Sequence, residues 1–146
     1  MALPLPLIAD LLALWDGQGH YSLASWQEAQ EQAALLAFEQ TPFPERALGR
    51  LGFTIEYKPL SVVGLWVWGR VVPSEKRVYL DREALAFLSK NSSAWPEELS
   101  ANPYWPERLV LAHELFHILA TRRKIKHSEL AAVIFSFNCL FHKCEP

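Results

Sequence analysis

Leu109-Val110-Leu111-Ala112-His113-Glu114-Leu115-Phe116-His117-Ile118-Leu119-Ala120 is the stretch on which the reading of this chain turns. It spells H-E-x-x-H inside an apolar run. Two histidines four residues apart on a helix point the same way, one turn above the other. Two imidazoles so placed can share one tetrahedral Zn²⁺. Glu114, between them, projects from nearly the same face and can serve as a base without ligating the metal. Hydrogen bonding within a core is the competing role for these three side chains. Buried charge is costly without a partner, however, and one metal ion partners all three.

The flanks predict a helix from about Pro106 to Thr121. Proline suits a first helical position, whose N–H lacks a partner anyway. Glu107 complements that end of the helix dipole, and Arg122, Arg123 and Lys124 complement the other. The helix is apolar on nearly every face except the His/Glu face, which predicts burial.

Outward from this helix, the first third of the chain reads helical. Leu7 to Trp15 forms a short helix. A second runs from Trp26 to about Glu39, opened by a capping box of Ser25 and Glu28. Thr41-Pro42-Phe43-Pro44 breaks it. The middle third reads as sheet. Phe53, Ile55 and Tyr57 alternate with polar residues, the period of a half-buried strand. Val62 to Val71 is rich in β-formers, and Arg77–Leu80 makes a third strand joined through a turn at Pro73-Ser74-Glu75-Lys76. Asp81 caps a helix running to about Ser89. A polar stretch, 91–105, leads to the motif helix, 122–127 turns the chain, and a last helix runs from Ser128 to Phe141. The order of elements predicts an α+β fold: one domain, 1–146, with a short antiparallel sheet, the H-E-x-x-H helix and a following helix.

A catalytic zinc has three protein ligands and one open position. Glu129 is the favoured third ligand. A short connection makes antiparallel neighbours of the last two helices, bringing Glu129 level with His117. Ala132 on the same face would let the helices approach. His127 competes as a ligand; otherwise it is a residue behind the ligands or part of the turn. The compact H-E-x-x-H-x-x-G-x-x-H pattern is absent, since Ala120 and Arg123 stand at its last two marked positions.

Leu111 to Leu119, followed by Ser128-Glu129-Leu130-Ala131-Ala132-Val133-Ile134-Phe135, resembles the ImmA/IrrE family of zinc metallopeptidases. The resemblance covers about the last 36 residues well, and Val78 to Asp81 more weakly. Phe116 stands where many members have glycine, and Val133 and Ile134 where asparagine or histidine is common. The resemblance implies a small zincin-like domain, with His113, His117 and Glu129 on Zn²⁺ and Glu114 as general base. It also implies protein substrates, among them a helix-turn-helix regulator; the small size of the chain points to a narrow set of them. No stretch of this sequence is left to form such a regulator, so a separate one is expected.

A formal net charge of −2 argues against nucleic acid as the main partner. Met1 to Trp15 lacks the basic start of a signal peptide, and no apolar run approaches membrane-span length. The expected compartment is cytoplasmic. Trp66 and Trp68 share a strand face and, with Tyr79, are candidates for a substrate groove, although aromatic pairs in strands are usually core. His20, Tyr104 and Tyr79 are equal candidates to polarise a substrate carbonyl. Cys139, His142, Cys144 and Glu145 lack the spacing of a second metal site. The basic run 122–127 either complements the helix end or docks an acidic partner. Two other functions stay open beside the peptidase: a metal-stabilised binding module without turnover, and a zinc hydrolase of a non-peptide substrate.

Overall fold

The computed structural model describes residues 22–62, 67–90 and 103–141. The expected helix at 7–15, together with His20, Trp66, His142, Cys144 and Glu145, lies outside the described residues. Helix α1 spans Leu23–Ala34, α2 Pro44–Arg50, α3 Arg82–Lys90, α4 Trp105–Arg122 and α5 Glu129–Phe141. Strands β1 (Thr54–Tyr57), β2 (Gly69–Val72) and β3 (Arg77–Leu80) form one sheet in the order β1-β3-β2. The class is α+β. No helix among the described residues is long and apolar enough to cross a membrane.

α1 begins earlier than expected. Ser22, extended at φ −65° and ψ 156°, accepts the Ser25 N–H at 3.1 Å, so Ser22 and not Ser25 is the cap. Both serines carry the chemistry. Trp26, Ala29 and Ala33 form the buried face of the helix. The helix also stops short, at Ala34, and a 3₁₀ turn at Ala37–Glu39 follows as Leu36 plunges fully into the core. The break expected at 41–44 is present, and a further helix that the sequence reading lacked begins there: Pro44 occupies the first turn of α2. Gly52, at φ 85°, ends that helix. Its N–H reaches Gly49 and the Phe53 N–H reaches Leu48, each at 3.0 Å, and these bonds satisfy the last carbonyls.

The sheet is mixed, which corrects the expectation of an antiparallel one. β2 and β3 form the expected antiparallel hairpin through Pro73–Glu75 and a left-handed Lys76 at φ 54°. β1, in contrast, pairs with β3 in parallel, Thr54 opposite Arg77 and Tyr57 opposite Leu80. The long connection 58–68 lets β3 insert between β1 and β2, a geometry that a tight turn forbids. Asp81 pins this connection. Its Oδ2 accepts the Leu60 and Ser61 N–H groups at 2.9 and 2.8 Å, while Oδ1 accepts those of Glu83 and Ala84 and caps α3.

α4 is the central element. It packs on α2, α3, α5, β2 and β3, and Leu109, Val110, Ala112, Phe116 and Ala120 are fully buried. Its approach to β2 is set by Gly69, where an added Cβ would lie 2.6 Å from Val110 Cγ1 and 3.2 Å from the Tyr79 carbonyl oxygen. α5 lies along α4 and α1, with Ala131 and Ala132 fully buried and Phe135 against Phe116 at 5.1 Å between ring centroids. Lys124, left-handed at φ 55°, ends α4. Its N–H reaches Thr121 and the Ile125 N–H reaches Ala120, so the chain reverses within a few residues.

Gly69→Ala should cost about 1–3 kcal/mol in chemical denaturation, as overpacking does. The cost should shrink in a Val110→Ala background. Additive losses in the double-mutant cycle would show that the contact does not limit the approach of β2 and α4.

Burial works against ionising Asp81, but the hydrogen bonds from Leu60, Ser61 and Ala84 hold its carboxyl down at about 2, from an ordinary 3.8. Its contribution to stability is therefore complete above the unfolded value and is lost as pH falls through about 2. Wild type should lose stability between pH 4 and 2 more steeply than Asp81→Asn, measured by thermal unfolding; equal slopes would show that the latch contributes nothing.

Candidate metal centre

α4 carries His113 and His117 on the side that faces the start of α5, and Glu129 is the first residue of α5. Their ligand atoms converge. His113 Nε2 lies 2.9 Å from Glu129 Oε2, and His117 Nε2 lies 3.0 Å from Glu129 Oε1. The two Nε2 atoms are 3.2 Å apart. A tetrahedron with metal–nitrogen bonds of about 2.0–2.1 Å has edges of about 3.3 Å, so the three atoms already stand near the corners of such a site. Among the described residues, this trio is the group of His, Cys, Asp and Glu side chains close enough to hold one metal ion.

Burial grades across the trio. The His113 side chain is 5% exposed, His117 23% and Glu129 72%, so the cluster opens to solvent on the α5 side. A closed structural site uses four protein ligands, whereas three ligands with an open side leave room for water and substrate.

Proton placement around His117 favours a cation. The Ile125 carbonyl oxygen only accepts, so His127 Nδ1, 3.0 Å away, carries a proton and donates. A neutral His127 then offers Nε2 as acceptor to His117 Nδ1 at 3.0 Å, and His117 Nδ1 carries its proton there. The remaining nitrogen, His117 Nε2, points a lone pair at the Glu129 carboxylate and at His113 Nε2. Either an extra proton on His117 or a cation among the three atoms relieves that opposition. Burial disfavours charge on His117, yet the hydrogen bond it donates to Glu129 and the nearby carboxylates of Glu129 and Glu114 raise its pKa overall. The bonds from His113 and His117 hold Glu129 far below the usual carboxylate range despite partial burial.

Glu114 sits half-buried next to His113. Burial pushes its carboxyl pKa up, His113 and His117 pull it back, and Glu129 adds repulsion. The result is a carboxylate more basic than one in water.

Other expected site residues fare differently. Trp68 is buried and stacks on Phe87 at 6.0 Å, so it is core and not groove lining. Tyr79 is also buried, but between Val78 and Leu80, which face the core; strand alternation turns it to the opposite sheet face. There its hydroxyl donates to Glu75 at 3.2 Å, and Lys58 lies over its ring. It therefore lines no groove on the helix side. Tyr104 is exposed just before α4. Cys139 is a free, buried thiol pushed up to about 12 by burial, a packing residue. The basic run ties helices together: Arg123 pairs with Glu39 at 3.2 Å and Lys126 with Glu28 at 3.8 Å.

Two features had no sequence signal. Gln32 of α1 is buried, and its Oε1 accepts the Ser128 N–H at 3.0 Å and the Ser128 hydroxyl at 3.3 Å. Ser128 in turn caps α5 by accepting the Ala131 N–H at 3.1 Å. Glu129 is thus fixed from α1, 96 positions away in the chain from Ser128. A cavity of about 250 Å³ adjoins His117, walled by Phe53, Val71, Pro73 and Ile118 with Lys76 and Arg122 beside them.

Comparison with family models, with curated proteins and with solved structures finds no match for this chain.

Purified protein should hold about one Zn²⁺ per chain by elemental analysis. Glu129→Ala should weaken zinc binding by more than the about 10–100-fold typical of residues behind the ligands. An unchanged zinc affinity in Glu129→Ala would remove Glu129 from the site.

Proposed function

We propose that this chain is a zinc-dependent peptidase of the ImmA/IrrE type with a zincin-like domain. The observation that carries the reading is the convergence of His113 Nε2, His117 Nε2 and the Glu129 carboxylate within 3.2 Å of one another, with Glu114 beside them. Zinc bound there would supply a Lewis acid and lower the pKa of water to about 7. His113 and His117 would hold the ion through Nε2, and Glu129 would close the third corner. Glu114, made more basic by burial, would take a proton from the attacking water and return it to the leaving amine.

The open side of the cluster supports turnover over a closed binding module. A peptide would lie extended beside β2, which ends the described sheet and packs on α4 at Gly69, as strand addition allows. The cavity beside His117 suits an apolar side chain of that peptide. A cytoplasmic protein, such as a helix-turn-helix regulator, fits this reading as substrate. Direct nucleic-acid binding does not fit the net charge of −2.

Glu114→Gln should retain zinc and thermal stability yet lose about 10²–10⁴-fold in cleavage rate. The comparison uses zinc-loaded wild type and variant against a peptide library, read by mass spectrometry of products. Identical product sets, or none from the wild type, would overturn the peptidase reading.

A further inference from the structure

We infer that His127 is a positioning residue for the metal centre: it accepts the Nδ1 proton of His117 and thereby aims the His117 Nε2 lone pair at the point shared with His113 and Glu129. The inference rests on the metal-site reading above. The relay starts at the Ile125 carbonyl oxygen, which takes the His127 Nδ1 proton at 3.0 Å. In the neutral imidazole that bond leaves His127 Nε2 as the acceptor, 3.0 Å from His117 Nδ1. One backbone carbonyl thus dictates the tautomers of two rings in series.

The relay is held rigidly. Ile125 is fixed because its own N–H completes the cap of α4 on Ala120 at 2.9 Å. The His127 ring meets Phe116 edge-on at 5.7 Å between centroids, and Phe116 is fully buried. The next residue, Ser128, is tied to Gln32 of α1. His127, Ser128 and Glu129 therefore act in succession: one orients a ligand, one anchors the helix start, one is a ligand. Groups behind metal-bound histidines usually are carboxylates, carbonyls or waters. An imidazole in that role accepts without adding negative charge to a centre that already holds Glu129 and Glu114.

The test measures zinc affinity by chelator competition for wild type, His127→Phe, His127→Ala and His127→Gln. Phenylalanine keeps the ring against Phe116 but cannot accept, whereas the glutamine amide oxygen can stand near the place of Nε2. Phe and Ala should weaken zinc affinity about 10–100-fold with one site per chain still filled at saturation. Gln should recover most of the loss. A second readout is ¹⁵N NMR of the imidazoles, in which wild type should show a proton on His117 Nδ1 coupled to His127 Nε2. Affinity in His127→Phe equal to wild type, or Gln no better than Phe and Ala, would overturn this inference alone. Failure of wild type to bind zinc would overturn it together with the metal-site reading.

Discussion

One carboxylate facing two imidazoles is the contact on which the rest depends. Glu129 reaches both His113 and His117 because α5 runs back along α4 at close range. That range is set by fully buried Ala131 and Ala132, and by Phe116 meeting Phe135. Larger residues in place of the alanines would push the helices apart, and a polar cluster at their ends would lose its third member. Packing of apolar surface thus sets the geometry of the polar site, since dense interiors do not deform continuously.

The turn between α4 and α5 concentrates an unusual share of the work. Lys124 adopts a left-handed conformation that glycine adopts more easily. In return the chain reverses at once, and Ile125, His127, Ser128 and Glu129 each meet a specific partner. α1 contributes from a distance. Its buried Gln32 holds Ser128 and its Glu28 lies near Lys126, while Glu39 of the following 3₁₀ turn lies near Arg123. The basic run after α4 is consequently a set of helix ties, several of them exposed and individually weak.

The sheet serves mainly as a wall. β3, at its centre, contributes fully buried Val78 and Leu80, and Gly69 lets β2 come close to α4. The parallel β1–β3 pair was invisible in the sequence because alternation marks a strand and its faces but carries no direction. Trp68 and Tyr79 failed as groove residues for a related reason. Periodicity says that two side chains share or oppose a face, while the packing partners, Phe87 in one case and Glu75 with Lys58 in the other, decide what the face does. The helix opening at Pro44 went unread because a proline marks a break and a first turn alike.

The sequence by itself determined the central helix and the polar residues that it carries. An uninterrupted apolar run around His113-Glu114-x-x-His117 obliges a buried helix with two imidazoles on one side, because helical spacing is local and needs no other part of the chain. The start of α5 and the candidacy of Glu129 followed from the short connection after α4. Tertiary structure decided the rest. It brought Glu129 within 3.0 Å of both ring nitrogens, put His127 behind His117 instead of among the ligand atoms, and recruited Gln32 from α1. Those contacts depend on how closely helices pack and on which carbonyl a side chain meets after the chain reverses, and neither is written in spacing along one segment.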